Sequence, residues 1–275
     1  MIKSVAIQGV KGSFHHIVAQ NYFDEATDLV ECLSFDAAVD SLITKQSDAV
    51  IMAIENSIVG SIIPNYALID NHNLHIVGEY YLDIQHNLMA LKGQKIEDIK
   101  EVYSHPMALL QCKEFFKSYP HIKLVEDKDT ADVARRIHET HKEGVAAIAS
   151  KLAATIFELD IIAESIQTIK HNETRFVIVK RNNHEIPESE INKASLKFEL
   201  DHKRGSLATV LNVMSDCKLN LTKIQSLPKI ETPWKYAFFV DVTFDSYDDQ
   251  IKAKSIMNIM AQEFKVLGEY KMAMK

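Results

Sequence analysis

Two kinds of apolar pattern alternate along residues 1–181. Short, mostly apolar runs, for example 5–7, 48–54 and 145–149, have the length of buried strands. Stretches with helical spacing of apolar residues follow many of these runs. Such alternation predicts an α/β domain with mainly parallel strands. The long apolar stretch 76–90 predicts either one strand or two strands that pass through a crossover.

The pattern changes after residue 181. Residues 182–193 are polar, contain Pro187 and read as a linker. Over 194–275 the strand and helix patterns follow in the order βαββαβ, which is the ferredoxin-like arrangement. Within it we predict the following segments: strands over 194–200, 219–227, 236–244 and 265–270, helices from 205 and over 251–264, and a hairpin loop over 228–234.

Composition narrows the class of protein. The chain has 275 residues, which favours about two domains, and its net charge of -7 argues against a nucleic-acid partner. No apolar run reaches the ~18 residues of a membrane span. The three cysteines are odd in number and far apart, and the N-terminus enters a strand without a signal-peptide pattern. We therefore expect a cytoplasmic protein with no membrane contact.

Small polar residues recur where an apparent strand ends and a helix begins. In open α/β sheets this edge carries the ligand crevice, and helix N-termini attract anions there. Each such residue alone is better explained as a helix N-cap. Together they predict a site for a small anionic ligand, built from Ser13, Asn56, Ser57, Ser104, Thr130 and Ser150.

The dipeptide Thr174-Arg175 adds candidate chemistry. An arginine presents a rigid fork of donors that suits a carboxylate, and a threonine hydroxyl can donate a hydrogen bond or a proton. Taken alone, the pair is also consistent with a strand-end threonine beside a surface arginine. The sequence contains no GxGxxG motif and no Gly-Lys-Ser/Thr ending of a phosphate loop. The histidine pairs His72/His75 and His138/His141 lack metal-ligand partners in register, so the motifs imply neither a nucleotide nor a metal site.

Six short motifs occur in the order of a known family: Gly12-Ser13-Phe14, Glu55-Asn56-Ser57, Ser104-His105-Pro106, Thr130-Ala131-Asp132, 147–150 and 172–176. The chain resembles the prephenate dehydratases, and its C-terminal part is similar to an ACT domain. The resemblance implies a two-lobed catalytic domain over 1–181 that is similar to periplasmic binding proteins. Lobe 1 would comprise about 1–77 and 167–181, and lobe 2 about 78–166. The ACT regulatory domain would occupy 194–275.

The family implies a reaction without a cofactor, the decarboxylative dehydration of prephenate to phenylpyruvate in phenylalanine biosynthesis. Thr174 would donate to the departing hydroxyl, and Arg175 would bind a substrate carboxylate. The remaining substrate-binding residues implied by the motifs are Ser13, Asn56, Ser57, Ser104, Gln111, Thr130, Ser150 and Phe176.

The ACT resemblance implies feedback inhibition by L-phenylalanine and a homodimer or homotetramer. The effector residues would be Gly205, Ser206, Leu207, Ala208, Asn220 and Leu221. Gln225 and Leu227 replace a Glu and an Arg of the family's regulatory motif, which leaves the effector's identity and sign open. An arogenate dehydratase and a non-catalytic amino-acid sensor are the two alternative functions. The extent of lobe closure is also open.

Overall fold

The computed structural model describes residues 2–23, 27–182, 186–201, 203–228 and 235–273. The strands are β1 Ser4–Gln8, β2 Asp28–Cys32, β3 Ala49–Asn56, β4 Gly60–Ser61, β5 His75–Asp83, β6 Asn87–Ala90, β7 Glu101–Ser104, β8 Lys123–Glu126, β9 Val145–Ala149, β10 Asp160–Ala163, β11 Glu173–Lys180, β12 Lys193–Glu199, β13 Asn220–Pro228, β14 Tyr236–Thr243 and β15 Glu263–Tyr270. The helices are α1 Phe14–Tyr22, α2 Phe35–Ile43, α3 Ile63–Asn71, α4 Pro106–Gln111, α5 Lys113–Phe116, α6 Thr130–Thr140, α7 Lys151–Ile156, α8 Ser206–Asp216 and α9 Tyr247–Met260. Residues 229–234 of the predicted hairpin loop lie outside the described residues.

The first sheet has the strand order β2-β1-β3-β11-β5, with β4 paired to β3. β1 pairs in parallel with both β2 and β3. The apolar run of β3 is buried almost without interruption, as a strand covered on both faces requires. The short edge strand β2 was not predicted, because only its last residue, Cys32, is fully buried and its apolar pattern is weak.

The second sheet has the order β10-β6-β9-β7-β8. β7 is parallel to β8 and β9, whereas β6 is antiparallel to β9 and β10. Alternate residues of β9 enter two different cores: Ala147 and Ala149 pack on one face, Ala146 and Ile148 on the other. This explains why the segment is apolar throughout.

The stretch 76–90 forms two strands, in agreement with one of the two predicted alternatives. β5 stays in the first sheet as far as Asp83, and β6 begins the second sheet at Asn87. The chain therefore passes from the first sheet to the second at 84–86, because residues 78–83 remain in β5. The boundary between lobes near 78 stays a prediction.

The third sheet confirms the predicted βαββαβ order, with strands arranged β13-β14-β12-β15 and all antiparallel. β12 begins at Lys193, one residue before the predicted start. The prediction of helix over 261–264 was wrong: α9 ends at Met260, and Glu263 and Phe264 pair with β12 as the start of β15.

Contacts divide the chain into two compact units, 1–60 with 81–176 and 61–80 with 177–275. Residues 61–80, predicted to belong largely to lobe 1, therefore group with the C-terminal sheet. The division into a catalytic domain over 1–181, a linker and an ACT domain stays a prediction. No helix in the described ranges is long and apolar enough to cross a membrane.

Charged pairs hold residues 61–80 to the third sheet within the second unit. The Lys193 ammonium lies 2.8 Å from the Glu79 carboxylate, and both side chains are almost fully buried. Asp70 accepts from Lys197 at 2.7 Å and from Lys265 at 2.8 Å. We call these five residues the ionic joint. It covers the face of β12 opposite to Ala194, Leu196 and Phe198, which form the apolar core with α8 and α9.

Candidate active site

The start of β11 is held against the end of β3. The Ser57 backbone N–H donates to the Glu173 carbonyl at 2.8 Å, and the Glu173 N–H donates to Ser57 Oγ at 3.0 Å. Thr174 and Arg175 follow directly, and both are buried. This pairing brings Asn56, the last residue of β3, to the Thr174 side chain.

Asn56 is the centre of a hydrogen-bond network. Its Nδ2 donates to Thr174 Oγ1 at 2.8 Å and to Asn172 Oδ1 at 2.7 Å. Its Oδ1 accepts from the backbone N–H groups of Ile58 and Val59, both at 3.0 Å. The amide of Asn56 is therefore held in one orientation, with its donors directed at Thr174 and Asn172.

The network continues into the second lobe. Asn172 Nδ2 donates to Gln111 Oε1 at 2.9 Å, which joins the end of α4 to the start of β11. The structure thus brings together three residues predicted from sequence: Asn56, Gln111 and Thr174. Asn172 lies in the motif 172–176 but was not predicted as a site residue, although it stands two residues before Thr174, a spacing that places side chains on the same side of an extended segment.

The hydrogen-bond network determines whether the Thr174 hydroxyl acts as a donor or as an acceptor toward a ligand. Because its oxygen accepts from Asn56, its hydrogen points elsewhere, and among the described residues no acceptor receives it. A hydroxyl in this state is a hydrogen-bond or proton donor toward a ligand. Arg175 lies next to it in the same strand.

His86 closes the network at its far end and was also missed by the sequence analysis. Its Nε2 lies 2.9 Å from Gln111 Oε1. Burial lowers the pKa of His86 to about 4, against the opposing effect of the Gln111 hydrogen bond. The ring is therefore neutral at pH 7, and since an amide oxygen only accepts, Nε2 carries the hydrogen.

The loop before α1 joins the two lobes of the first unit. Ser13 is the N-cap of α1 and accepts from the His16 N–H at 3.2 Å. Ser150 caps α7 and donates to the Gly12 carbonyl at 2.5 Å. A Cβ on Gly12 would lie 2.8 Å from Ala153 Cα, so only glycine allows this approach. Ser13 and Ser150 thus have hydrogen bonds within the protein, as the N-cap alternative predicted.

Three other predicted substrate-binding residues have structural roles. Ser104 is fully buried and donates to the Ile148 carbonyl at 2.7 Å, so its hydroxyl is occupied. Phe176 is 1% exposed and packs edge to face against His15, with ring centroids 5.0 Å apart. Thr130 is only the first residue of α6, because Asp129 is the N-cap. Their contact with a substrate is not supported by this arrangement.

A cleft of about 940 Å³ opens at the ends of strands from both sheets of the first unit. Its position agrees with the crevice expected for α/β sheets. It is lined by Gln8, Gly9, Val10, Leu33, His105, Pro106, Glu126, Asp127, Lys128, Asp129, Asp132 and Arg136. Thr174 and Gln111 are not part of this lining, so the candidate active site rests on the hydrogen-bond network rather than on this cavity.

Two other kinds of site can be assessed in the same unit. Burial raises the pKa of the Cys112 thiol to about 12, so it stays protonated and is not an activated nucleophile. Within the described ranges, no group of three or more His, Cys, Asp or Glu side chains is placed to hold a metal ion. The polar network around Thr174 is therefore the candidate for catalytic chemistry in this unit.

The comparisons with known proteins identify the family of the chain. A model of the prephenate dehydratase family matches residues 5–184. The chain belongs to the prephenate dehydratase family. It is 33% identical over 237 residues to the bifunctional chorismate mutase/prephenate dehydratase of Buchnera aphidicola subsp. Acyrthosiphon pisum (strain APS), a match that covers 85% of this chain and 62% of that protein's length.

Two further relatives extend the comparison. The chain is 35% identical over 277 residues to arogenate dehydratase/prephenate dehydratase 2, chloroplastic, of Arabidopsis thaliana, covering 97% of this chain and 72% of that protein. The crystal structure of prephenate dehydratase from Arthrobacter aurescens in complex with L-Phe superposes with a TM-score of 0.86 at 23% identity, covering 98% of this chain and 89% of the other. At that identity the likeness shows the shared fold.

The predicted effector residues fall into two groups in the second unit. Ser206 and Leu207 line a cavity of about 140 Å³ at the start of α8, next to Gly205, which has a φ of +85°. Asn220 and Leu221 begin β13, after the opposite end of that helix. Eleven helical residues span ~16 Å. Within one chain the two groups are thus too far apart to contact one small ligand.

Proposed function

We propose that this member of the family converts prephenate to phenylpyruvate. The observation that carries the proposal is the Thr174 hydroxyl, whose oxygen accepts from Asn56 while its hydrogen has no acceptor among the described residues. A donor held in this way suits a reaction in which a hydroxyl group must leave.

The reaction needs little from the protein beyond placement. The bond between the ring and its carboxylate breaks, CO₂ departs, and the electron pair completes the aromatic ring as the C4–O bond breaks. The leaving oxygen takes up a proton and departs as water. A threonine is a weak acid, so Thr174 acts mainly by stabilising the developing negative charge on that oxygen.

Arg175 has the role of binding a substrate carboxylate in this proposal. Its guanidinium can form two parallel hydrogen bonds to a carboxylate, which a lysine ammonium cannot reproduce. Ser57 and Gln111 lie on the two sides of the Thr174 network and complete the polar surroundings.

Arogenate is the alternative substrate, and the names of relatives such as the Arabidopsis protein, 35% identical to this chain, favour testing it. Arogenate carries an amino group where prephenate has a keto oxygen. The same departure of CO₂ and water would give phenylalanine. A non-catalytic amino-acid sensor would bind such ligands without turnover.

The test is a direct assay of the purified protein with prephenate and, in parallel, with arogenate. Phenylpyruvate is followed by the absorbance of its enol in alkali, and phenylalanine by chromatography. We expect turnover of prephenate that Thr174→Ala abolishes. Turnover of arogenate alone would reassign the substrate, and binding without turnover of either would support a sensor.

We further propose regulation by L-phenylalanine through the C-terminal domain, in a cytoplasmic homodimer or homotetramer. The two groups of effector residues follow opposite ends of α8, a helix ~16 Å long, which supports this because a second copy can bring one group to the other. Sedimentation and inhibition assays with L-phenylalanine test it. A monomer that L-phenylalanine still inhibits would contradict the dimer. Turnover without inhibition would point to Gln225 and Leu227 as marks of altered control.

A further inference from the structure

We propose that His86 is a positioning residue for Thr174, acting through Gln111, Asn172 and Asn56. This inference rests on the function proposed above. His86 touches neither Thr174 nor Arg175 in the structure; its effect is transmitted by the orientation of three side-chain amides.

The hydrogen bonds of the network allow one assignment of donors and acceptors. Gln111 Oε1 accepts from both His86 Nε2 and Asn172 Nδ2. Asn172 thus presents its Oδ1 to Asn56, and Asn56 uses its two Nδ2 hydrogens for Asn172 and Thr174. The chain of amides is set from both ends: by the His86 donor at one end, and by two backbone N–H groups on Asn56 at the other.

The His86 backbone and ring are held in place from several sides. Its backbone N–H donates to Gln167 Oε1 at 3.0 Å, and its carbonyl accepts from the Ile166 N–H at 2.8 Å. Its ring meets the Phe14 ring edge to face, with centroids 5.6 Å apart. His86 lies at the crossing between lobes, so the network begins at a point where two crossing segments are joined.

The unused ring nitrogen argues against a simple packing role. His86 Nδ1 is buried, and in the part of the chain that the structure describes it has no hydrogen-bond partner. An apolar ring would fill this space without burying an unpaired acceptor. The feature that only histidine supplies here is the neutral Nε2–H donor to Gln111.

Removing that donor frees the Gln111 amide to rotate. A rotated Gln111 would present its NH₂ group to the Asn172 NH₂ group, and the resulting repulsion would turn Asn172 and weaken the Asn56 bond to Thr174. Thr174 would then lose its defined donor direction. We expect His86→Phe to lower kcat by about ten- to a hundredfold through misplacement of the donor, with a much smaller change in KM.

The experiment compares three variants in the full chain with whichever substrate the wild type turns over. His86→Phe keeps a ring without the donor, and His86→Gln keeps a donor and should recover part of the lost kcat. Cys112→Ala is the matched control, because Cys112 is buried beside Gln111 but is outside the network. It should leave kcat within about twofold, since it removes no hydrogen bond of the network.

A double mutant distinguishes positioning from general damage. If His86 acts through Thr174, adding His86→Phe to Thr174→Ala causes little further loss of kcat. A full additional loss in that background would overturn the proposal, as would normal kcat in His86→Phe. A loss in Cys112→Ala equal to that in His86→Phe would also count against it.

A measurement on the wild type keeps the proposal testable if the variants do not fold. Nitrogen-15 NMR of the imidazole should show the Nε2–H tautomer, with no titration between pH 8 and pH 5, since the pKa is lowered to about 4. An Nδ1–H tautomer or a protonated ring at pH 6 would overturn the inference. A wild type that turns over neither substrate would instead overturn the proposed function, while the NMR result would still stand.

Discussion

Two buried polar regions of this protein contain different kinds of polar group: one is neutral and the other is charged. The network around Thr174 consists of amides, a hydroxyl and a neutral imidazole, with defined donor directions. The ionic joint in the second unit consists of full charges, Glu79 with Lys193 and Asp70 with Lys197 and Lys265. Neutral amides transmit orientation, because each has a donor side and an acceptor side. Charges hold strongly but carry less directional information.

The difference matches the tasks we assign to the two regions. A site that must offer one hydrogen in one direction gains from groups whose orientation is determined. A joint that must hold residues 61–80 against the third sheet gains from pairs that are costly to separate. Four variants test this comparison, in decreasing order of expected effect.

The largest effect should follow Thr174→Ala, which removes the donor and leaves the amides in place. We expect kcat to fall by about 10²- to 10⁴-fold, the usual contribution of a positioned proton donor. The melting temperature should change little, because only one hydroxyl and one methyl are lost. Thr174→Ser, which keeps the hydroxyl, should retain much of the activity. Near-normal turnover in Thr174→Ala would break the assignment of the site.

Glu79→Ala should be the most destabilising change in the ionic joint. It leaves the Lys193 charge buried without this carboxylate, a loss that typically costs about 3–5 kcal/mol of unfolding free energy. The double variant Glu79→Leu/Lys193→Met should recover most of that loss. Lys92→Ala, in an ion pair with Glu158 whose side chains are 65% and 69% exposed, is the control and should cost under about 1 kcal/mol. Denaturant titration measures all three.

Gly268→Ala tests how closely the third sheet approaches residues 61–80. A Cβ at Gly268 would lie 2.1 Å from the Ile76 carbonyl oxygen, so backbone must move. We expect a loss of about 1–3 kcal/mol, typical of overpacking. Gly60→Ala is the contrast, because its Cβ would meet nothing within 4 Å and only its φ of +89° is unfavourable. A loss below about 0.5 kcal/mol in Gly268→Ala, the usual size of a surface substitution, would contradict the close contact.

The smallest effect should appear in the pH dependence of Asp70. Burial raises the pKa of Asp70, but the hydrogen bonds and charges of Lys197 and Lys265 outweigh it, and the net pKa is lowered. The folded pKa is thus below the unfolded value of about 3.9. Its stabilisation is present above that value and is lost as the pH falls through the folded pKa.

The check is thermal melting of wild type and Asp70→Asn from pH 7 to pH 2. The difference in stability between them should shrink below about pH 4, where the unfolded carboxylate starts to be protonated. A difference that stays constant across this range would show that the charge of Asp70 is not what stabilises the joint.

Local patterns were sufficient to predict much of the fold. Burial on one or both faces imposes a pattern of apolar residues on the sequence. That pattern made it possible to predict the strands β1, β3 and β9 and the βαββαβ order. The end of α9 could not be predicted, since neither Gly nor Pro follows Met260 directly, and only pairing with β12 makes Glu263 and Phe264 part of a strand. Helix α3 was missed for a related reason: it begins at Ile63-Pro64 without a side-chain N-cap.

The candidate site divides in the same way. Asn56 and Thr174 could be predicted because each lies in a short motif at a strand end. Ser104 and Phe176 lie in such motifs too, yet their side chains point into the protein, which sequence spacing does not reveal. His86 gave no local signal, because its relation to Gln111 exists only once the chain has crossed between the lobes.

The contact at Gly12 limits how far the two lobes of the first unit can approach each other. There the main chain of one lobe rests on Ala153, at the start of the other lobe's helix, with no side chain of Gly12 between them. Contact at the main chain is the nearest that two segments can come, so the gap is already at its narrowest at this point. Glycine is the smallest residue, so no substitution of Gly12 could let the two segments come closer. The other walls of the site must therefore set the size of the ligand that fits between the two lobes.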